Sequence, residues 1–107
     1  MGSFSDYLEN KILDHIFGVT AYTAETTVKV ALSTADPLDT GLGLAEPSGN
    51  NYARVSVTNN GTNWDTAVSG ATANKTAITF PTASGSWGTI THFAIFDNAG
   101  TNMLVHG

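Results

Sequence analysis

"SWGTITHFAIFDNAG", residues 86–100, is the most apolar stretch of the chain, and its reading decides the fold. Within "WGTITHFAIFD" (87–97), Ile90, Ala94 and Phe96 fall on one side of an extended chain and Trp87, Phe93 and Ile95 on the other. A strand apolar on both faces is a central strand, covered above and below. "DNAG" (97–100) has turn chemistry, and "TNMLVH" (101–106) reads as the returning strand of a hairpin. A four-residue turn would pair Phe96 with Thr101, set His92 opposite Val105 and leave His106 on the other face. A one-residue bulge would instead bring His92 opposite His106.

Working outward, "SDYLENKILDHIFG" (5–18) predicts one amphipathic helix. Leu8, Ile12 and Ile16 recur every four residues, with Leu13 and Phe17 beside them, and Asp6, Glu9, Asn10 and Asp14 take the other side. Ser5 or Asp6 can cap its start, Asp6 and Glu9 have capping-box spacing, and Gly18 is a natural stop. The stripe can pack on the chain's own sheet or dock on a partner. "TTVKVALST" (26–34) alternates as a half-buried strand, with Val28, Val30 and Leu32 inward. "YARVSVT" (52–58) predicts a second strand with Val55 and Val57 on one face. "AITF" (77–80) predicts a third, ended by Pro81. Residues 59–76 are polar and small, with one weak strand around Trp64. Residues 35–51 hold two Pro and three Gly without a period and read as a long surface loop, a common place for function. The expectation is one domain, 1–107, with a helix at 5–18 and a β-rich body at 26–106. Its class is mainly β: an antiparallel β-sandwich or sheet of about five to seven strands with one N-terminal amphipathic helix.

At 107 residues the chain affords one core, and a deep substrate cavity would compete with it. Charged residues make up only 12%, about half the usual share, which suits a turn-rich β domain better than a helical bundle. The net charge is −5 with four cations, Lys11, Lys29, Arg54 and Lys75, scattered along the chain. These cannot form a phosphate-neutralising stripe, so neither nucleic acid nor an anionic membrane surface is an expected partner. The absence of cysteine excludes disulfides and thiolate zinc sites. Neither a secretory signal nor an apolar run of about 18 residues is present.

No catalytic, cofactor or metal site can be read from the residues. A histidine inside an apolar run can be a base, a ligand or a core residue. His92 has no local Asp or Ser pattern to orient or use it, which favours the structural role. His15 lies near the helix C-terminus, where its charged form suits the dipole. Asp36, Asp39 and Glu46 lack the dense oxygen spacing of a calcium loop. "GLGLAE" (41–46) lacks the third glycine and following helix of a phosphate loop. Trp64 and Trp87 can stack on a sugar ring but more often serve a core. "NGT" (60–62) and "NKT" (74–76) match the glycosylation sequon, as Asn/Thr-rich chains do by chance.

"YLENKILDH", "VALSTADP", "NYARV" and "SWGTITHFAIFD", in this order, resemble a family of short tailed-bacteriophage virion proteins, often labelled phage tail fibre or tail fibre-like proteins. The resemblance covers most of the chain, residues 59–76 least. It implies a non-enzymatic virion component made in the host cytoplasm. The first reading is a capsid decoration or cement protein clamping neighbouring subunits. The alternative is a tail fibre or baseplate component that binds a host receptor or glycan. Expected partners are major capsid or tail proteins and other copies of the chain. Candidate interface residues are Leu8, Ile12 and Ile16 on the helix and Met103, Leu104 and Val105 on the last strand; candidate receptor contacts are Trp64, Asp36 and Asp39. The family is expected to continue past Gly107, and without that continuation strand 101–106 would lie near an open edge.

Overall fold

The computed structural model describes residues 2–107. Five strands, β1 (Ser3–Phe4), β2 (Thr27–Ser33), β3 (Val55–Thr58), β4 (His92–Phe96) and β5 (Met103–His106), form one antiparallel sheet in the order β1-β5-β4-β2-β3. Among the described residues a single helix, α1 (Asp6–Ile16), follows β1. The fold is thus mainly β with an N-terminal helix, and a single sheet replaces the sandwich option. As the doubly apolar pattern requires, β4 is the middle strand of the five. No helix among the described residues is long and apolar enough to cross a membrane.

Each sheet face buries its own cluster. On one face Val28, Val30, Val57, Leu8 and Leu104 are buried, with Ile12, Tyr22, Trp64, Ile78, Phe80, Ile95 and Val105 packed against them. On the other face Ala31, Ala94, Phe96 and Met103 are buried under Leu44. Strand β2 is therefore covered on both sides, not half-buried: Ala31 and Ser33 are as inaccessible as the valines. The cover on the second face is the 35–51 loop. It lacks a period because it packs by turns: Ala45 and Ala35 donate to Ser33 Oγ at 3.0 and 3.3 Å, and Pro37 is fully buried. Gly43 allows a close approach, since a Cβ there would lie 2.1 Å from the Asp36 carbonyl oxygen.

Four expectations are corrected. "AITF" forms no strand. Ile78 and Phe80 draw it over the Val30 face, and a gap of about 230 Å³ separates Thr76–Thr79 from the outer edge of β3. Residues 87–91 are also outside the sheet: Gly88 turns the chain at φ +77°, and Trp87 is held by donating to the Asn50 carbonyl at 2.8 Å. The hairpin loop runs over 97–102, so Phe96 pairs with Met103 and a bulge makes Leu104 the extra residue. The buried Asp97 fixes this loop by accepting from Thr101 N, Asn102 N and Asn102 Nδ2 at 2.9, 3.2 and 2.9 Å. Finally, β5 is not at an edge, because β1 covers it through Ser3↔His106 and Phe4↔Val105.

Ser5 joins β1 to α1. Its side chain accepts from Leu8 N at 3.1 Å as the N-cap and donates to the Met103 carbonyl, while its own N–H donates to Leu104 O at 2.9 Å. The helix ends in a Schellman turn: Gly18 N bonds His15 O at 3.3 Å, Val19 N bonds Asp14 O at 2.9 Å, and Gly18 takes φ +77°.

Candidate functional site

The histidines of the opening question do not meet. The register places His106 opposite Ala94 and His92 opposite Ser33 across the other neighbour. The bulge puts both on the same face, but His92 Nδ1 bonds only the adjacent Thr91 Oγ1, at 2.8 Å. No group of three His, Asp or Glu able to hold a metal occurs among the described residues.

His106 finds a different partner. Its Nε2 is 2.7 Å from Asp39 Oδ1, and its Nδ1 is 3.9 Å from Asp36 Oδ1. Asp36 also accepts from Leu38 N at 3.0 Å, and the Asp39 carbonyl accepts from Asp6 N at 2.9 Å. The two aspartates therefore strap the 35–43 turn to β5 and to the start of α1. Trp64 sits on the opposite sheet face, its Nε1 donating to Asn59 Oδ1 at 2.9 Å. The candidate receptor contacts thus lie on two surfaces.

Glu46 is half-buried and paired within the chain. It receives Arg54 Nη2 and Nε at 2.8 and 2.9 Å and Tyr52 Oη at 2.7 Å. The paired Arg54 is the main reason its carboxyl lies below the ordinary carboxylate range, against the opposing effect of burial. Tyr52 is pushed up to about 12, chiefly by burial and then by Glu46. Arg54 also stacks 3.9 Å over the Phe96 ring and donates to Gly100 O at 3.0 Å. This network fastens the 35–51 loop to the sheet. The glycine-rich segment is similarly closed: Gly41, Gly43 and Leu44 donate their N–H groups within the loop.

The candidate interface divides. Leu8, Met103 and Leu104 are buried in the chain's own core. Ile12 and Val105 are half-buried and line a cavity of about 470 Å³ beneath the helix. Ile16 is 64% exposed and adjoins Leu13, Phe17 and Val19, which are 52%, 76% and 73% exposed. On a helical projection Leu13 and Phe17 stand roughly 140° and 180° from Leu8, beyond an apolar stripe of about 100°. The projection sets Leu13 and Phe17 apart from the home-facing side, whereas Ile16, roughly 80° from Leu8, falls within the stripe and is exposed nonetheless.

A second opening lies beside the first. About 490 Å³ is lined by Phe4, Leu32, Phe93 and Ile95 on the sheet and by Trp64, Ile78, Phe80 and residues 70–74 above it. No ionisable side chain lines it. Periodicity could not reveal this trough, because it depends on residues 64–80 folding back over the sheet.

These features define a class: a mainly β protein, one antiparallel sheet with an N-terminal helix whose end leaves apolar side chains exposed. A family model described as "Podophage GP4 fiber I protein gp80" matches residues 3–107. The chain belongs to this family of short-tailed phage fibre proteins, as its sequence resemblance implied. Membership makes it a structural protein of the virion, associated with other virion proteins. No curated protein matches the chain.

Proposed function

We propose that the chain is a non-enzymatic tail-fibre subunit that acts through contacts with neighbouring virion subunits. The family match over residues 3–107 carries this reading, and it favours the fibre alternative over the capsid-decoration role. The geometry supports it further. The apolar side chains at the end of α1 remain outside the core, while Asp39 pairs with His106 and Glu46 with Arg54, Asp36 and Asp39 staying more than half exposed. Candidate contact residues are therefore Ile16 with Leu13, Phe17 and Val19, together with Val105 at the trough. Host-receptor binding rests on no single patch, since Trp64 and the two aspartates face different ways.

Antiserum raised against the purified chain tests the reading on intact particles. Gold label concentrated at the tail, with slower adsorption to the host, is the expected result. Label spread over the capsid shell would overturn the fibre role in favour of decoration.

A further inference from the structure

The outer edge of the sheet carries backbone groups without partners, and a segment of strand composition lies beside it. Hydrogen bonds fix which groups of β3 face out. Leu32 N donates to Tyr52 Oη and Asn59 N to Thr26 O on the β3 side of β2, whereas Ser33 O accepts from Thr91 N on its β4 side. Even-numbered residues of β2 therefore turn their backbone to β3. Val57 and Val55 bond Val28 and Val30, and Ser56 and Thr58 turn outward. Among the described residues one partner reaches these outward groups: Asn63 Nδ2 donates to Thr58 O at 2.9 Å. Across the gap of about 230 Å³, residues 77–80 make no backbone hydrogen bond among the described residues.

We infer that residues 77–80 are a strap poised to close on β3 as a sixth strand. The alternation of a strand is already in place. Ile78 and Phe80 are half-buried against the Val30 face, while Ala77 and Thr79 are exposed, as are Ser56 and Thr58 across the gap. An antiparallel register that keeps these faces sets Thr79 opposite Ser56, Ile78 opposite Val57 and Ala77 opposite Thr58. In it Ser56 exchanges bonds with Thr79 and Thr58 with Ala77, while Ile78 and Phe80 stay in the cluster they already join. One anchor at each end of β3 makes the alignment antiparallel. Beyond Thr58, Lys75 N donates to Asn63 O at 2.7 Å, and Asn63 Nδ2 in turn holds Thr58 O. Ahead of Val55, Asn51 Nδ2 donates to Thr82 O at 2.9 Å, and Phe80 stacks on Tyr52 with ring centroids 6.4 Å apart. With both ends held, closure orders few further residues and costs little loop entropy. Open, the strap leaves a bare edge of the kind that recruits other chains; closed, it covers that edge from within. The device belongs to the fold and does not rest on the fibre reading.

The test uses the full chain, which has no cysteine of its own. Ser56→Cys with Thr79→Cys puts two thiols at exposed positions that closure sets directly opposite, with Cα atoms about 5.5 Å apart. A short bifunctional thiol reagent then bridges them, and mass spectrometry should show a bridged monomer. In that product the amides of Thr58 and Ala77, the next pair along, should exchange at least about tenfold more slowly than in the unbridged variant. The amides of Ile78 and Phe80 point away from β3 in the closed strand and should change by less than about twofold. Slow exchange across β2 and β4 confirms that the sheet is intact. If this variant does not fold, Thr58→Cys with Ala77→Cys replaces it, and Ser56 and Thr79 are read instead. Absence of a monomeric bridge overturns the proposal. So does a bridge that leaves Thr58 and Ala77 exchanging as before, which would show two loops tied together without a strand. Bridging only between chains also overturns it, because the edge would then pair with a second copy. Every reading is made on the purified chain, so the fibre role can fail separately.

Discussion

Ser5→Ala removes one hydroxyl from the junction of sheet and helix. Ser5 is only 2% exposed, and that hydroxyl accepts from Leu8 N while donating to the Met103 carbonyl. Loss of an N-cap serine costs about 1 kcal/mol. The Met103 carbonyl, inside a buried residue of β5, loses a partner, and an unsatisfied buried acceptor costs about 1–3 kcal/mol. The expected total is about 2–4 kcal/mol. For a domain of this size that lowers the melting midpoint by roughly 8–25 °C. Urea unfolding followed by tryptophan fluorescence and far-ultraviolet circular dichroism measures it, with the exposed Ser3→Ala as a control expected to move by less than about 0.5 kcal/mol. The helix should also detach more readily, seen as faster amide exchange across α1. A loss below about 1 kcal/mol, or equal losses at Ser3 and Ser5, would refute the junction's role in holding the helix to the sheet.

Ile12→Asp places a carboxylate against the apolar cavity beneath α1 and should cost about 2–4 kcal/mol in the isolated chain; unchanged melting would show that Ile12 does not pack at home. The Glu46–Tyr52–Arg54 network should give stability two pH limbs. Glu46 has its folded pKa lowered from 4.5, so its contribution is present above that value and lost as pH falls below it. Tyr52 rises from 10.0 to about 12, so its contribution is present below pH 10 and lost as pH climbs through 12. Melting across pH should show Glu46→Gln flattening the acid limb and Tyr52→Phe the alkaline limb; an unaltered alkaline limb in Tyr52→Phe would exclude the network as its source. His92→Gln should hold stability within about 1 kcal/mol of the wild type, because the ring makes one bond, to its neighbour Thr91. A larger drop would show that the imidazole makes contacts beyond that bond.

Local pattern made the main elements legible. The four-residue spacing from Leu8 to Ile16 marks α1, and the paired apolar sets around Phe93 and Ala94 mark β4 as central. What stayed hidden depends on distant partners. Strand β1 is two residues long and exists only because β5 pairs with it. The bulge at Leu104 moves the hairpin register by a residue that no turn signal announces. His106 and Asp39 stand 67 positions apart, and only the fold of the 35–51 loop brings them within 2.7 Å. "AITF" has strand composition, yet packing of Ile78 and Phe80 outweighs edge pairing with β3. The helix stripe was visible as a whole; a helical projection separates Leu13 and Phe17 from it, but the exposure of Ile16, roughly 80° from Leu8, was not legible.

A three-dimensional reconstruction of the phage particle at side-chain resolution tests the central claim most directly. This chain, 48 Å in its longest dimension, should fit density in the tail fibre, with the exposed end of α1 against a neighbouring virion subunit. Copies bound across the capsid lattice, with none in the tail, would contradict the account.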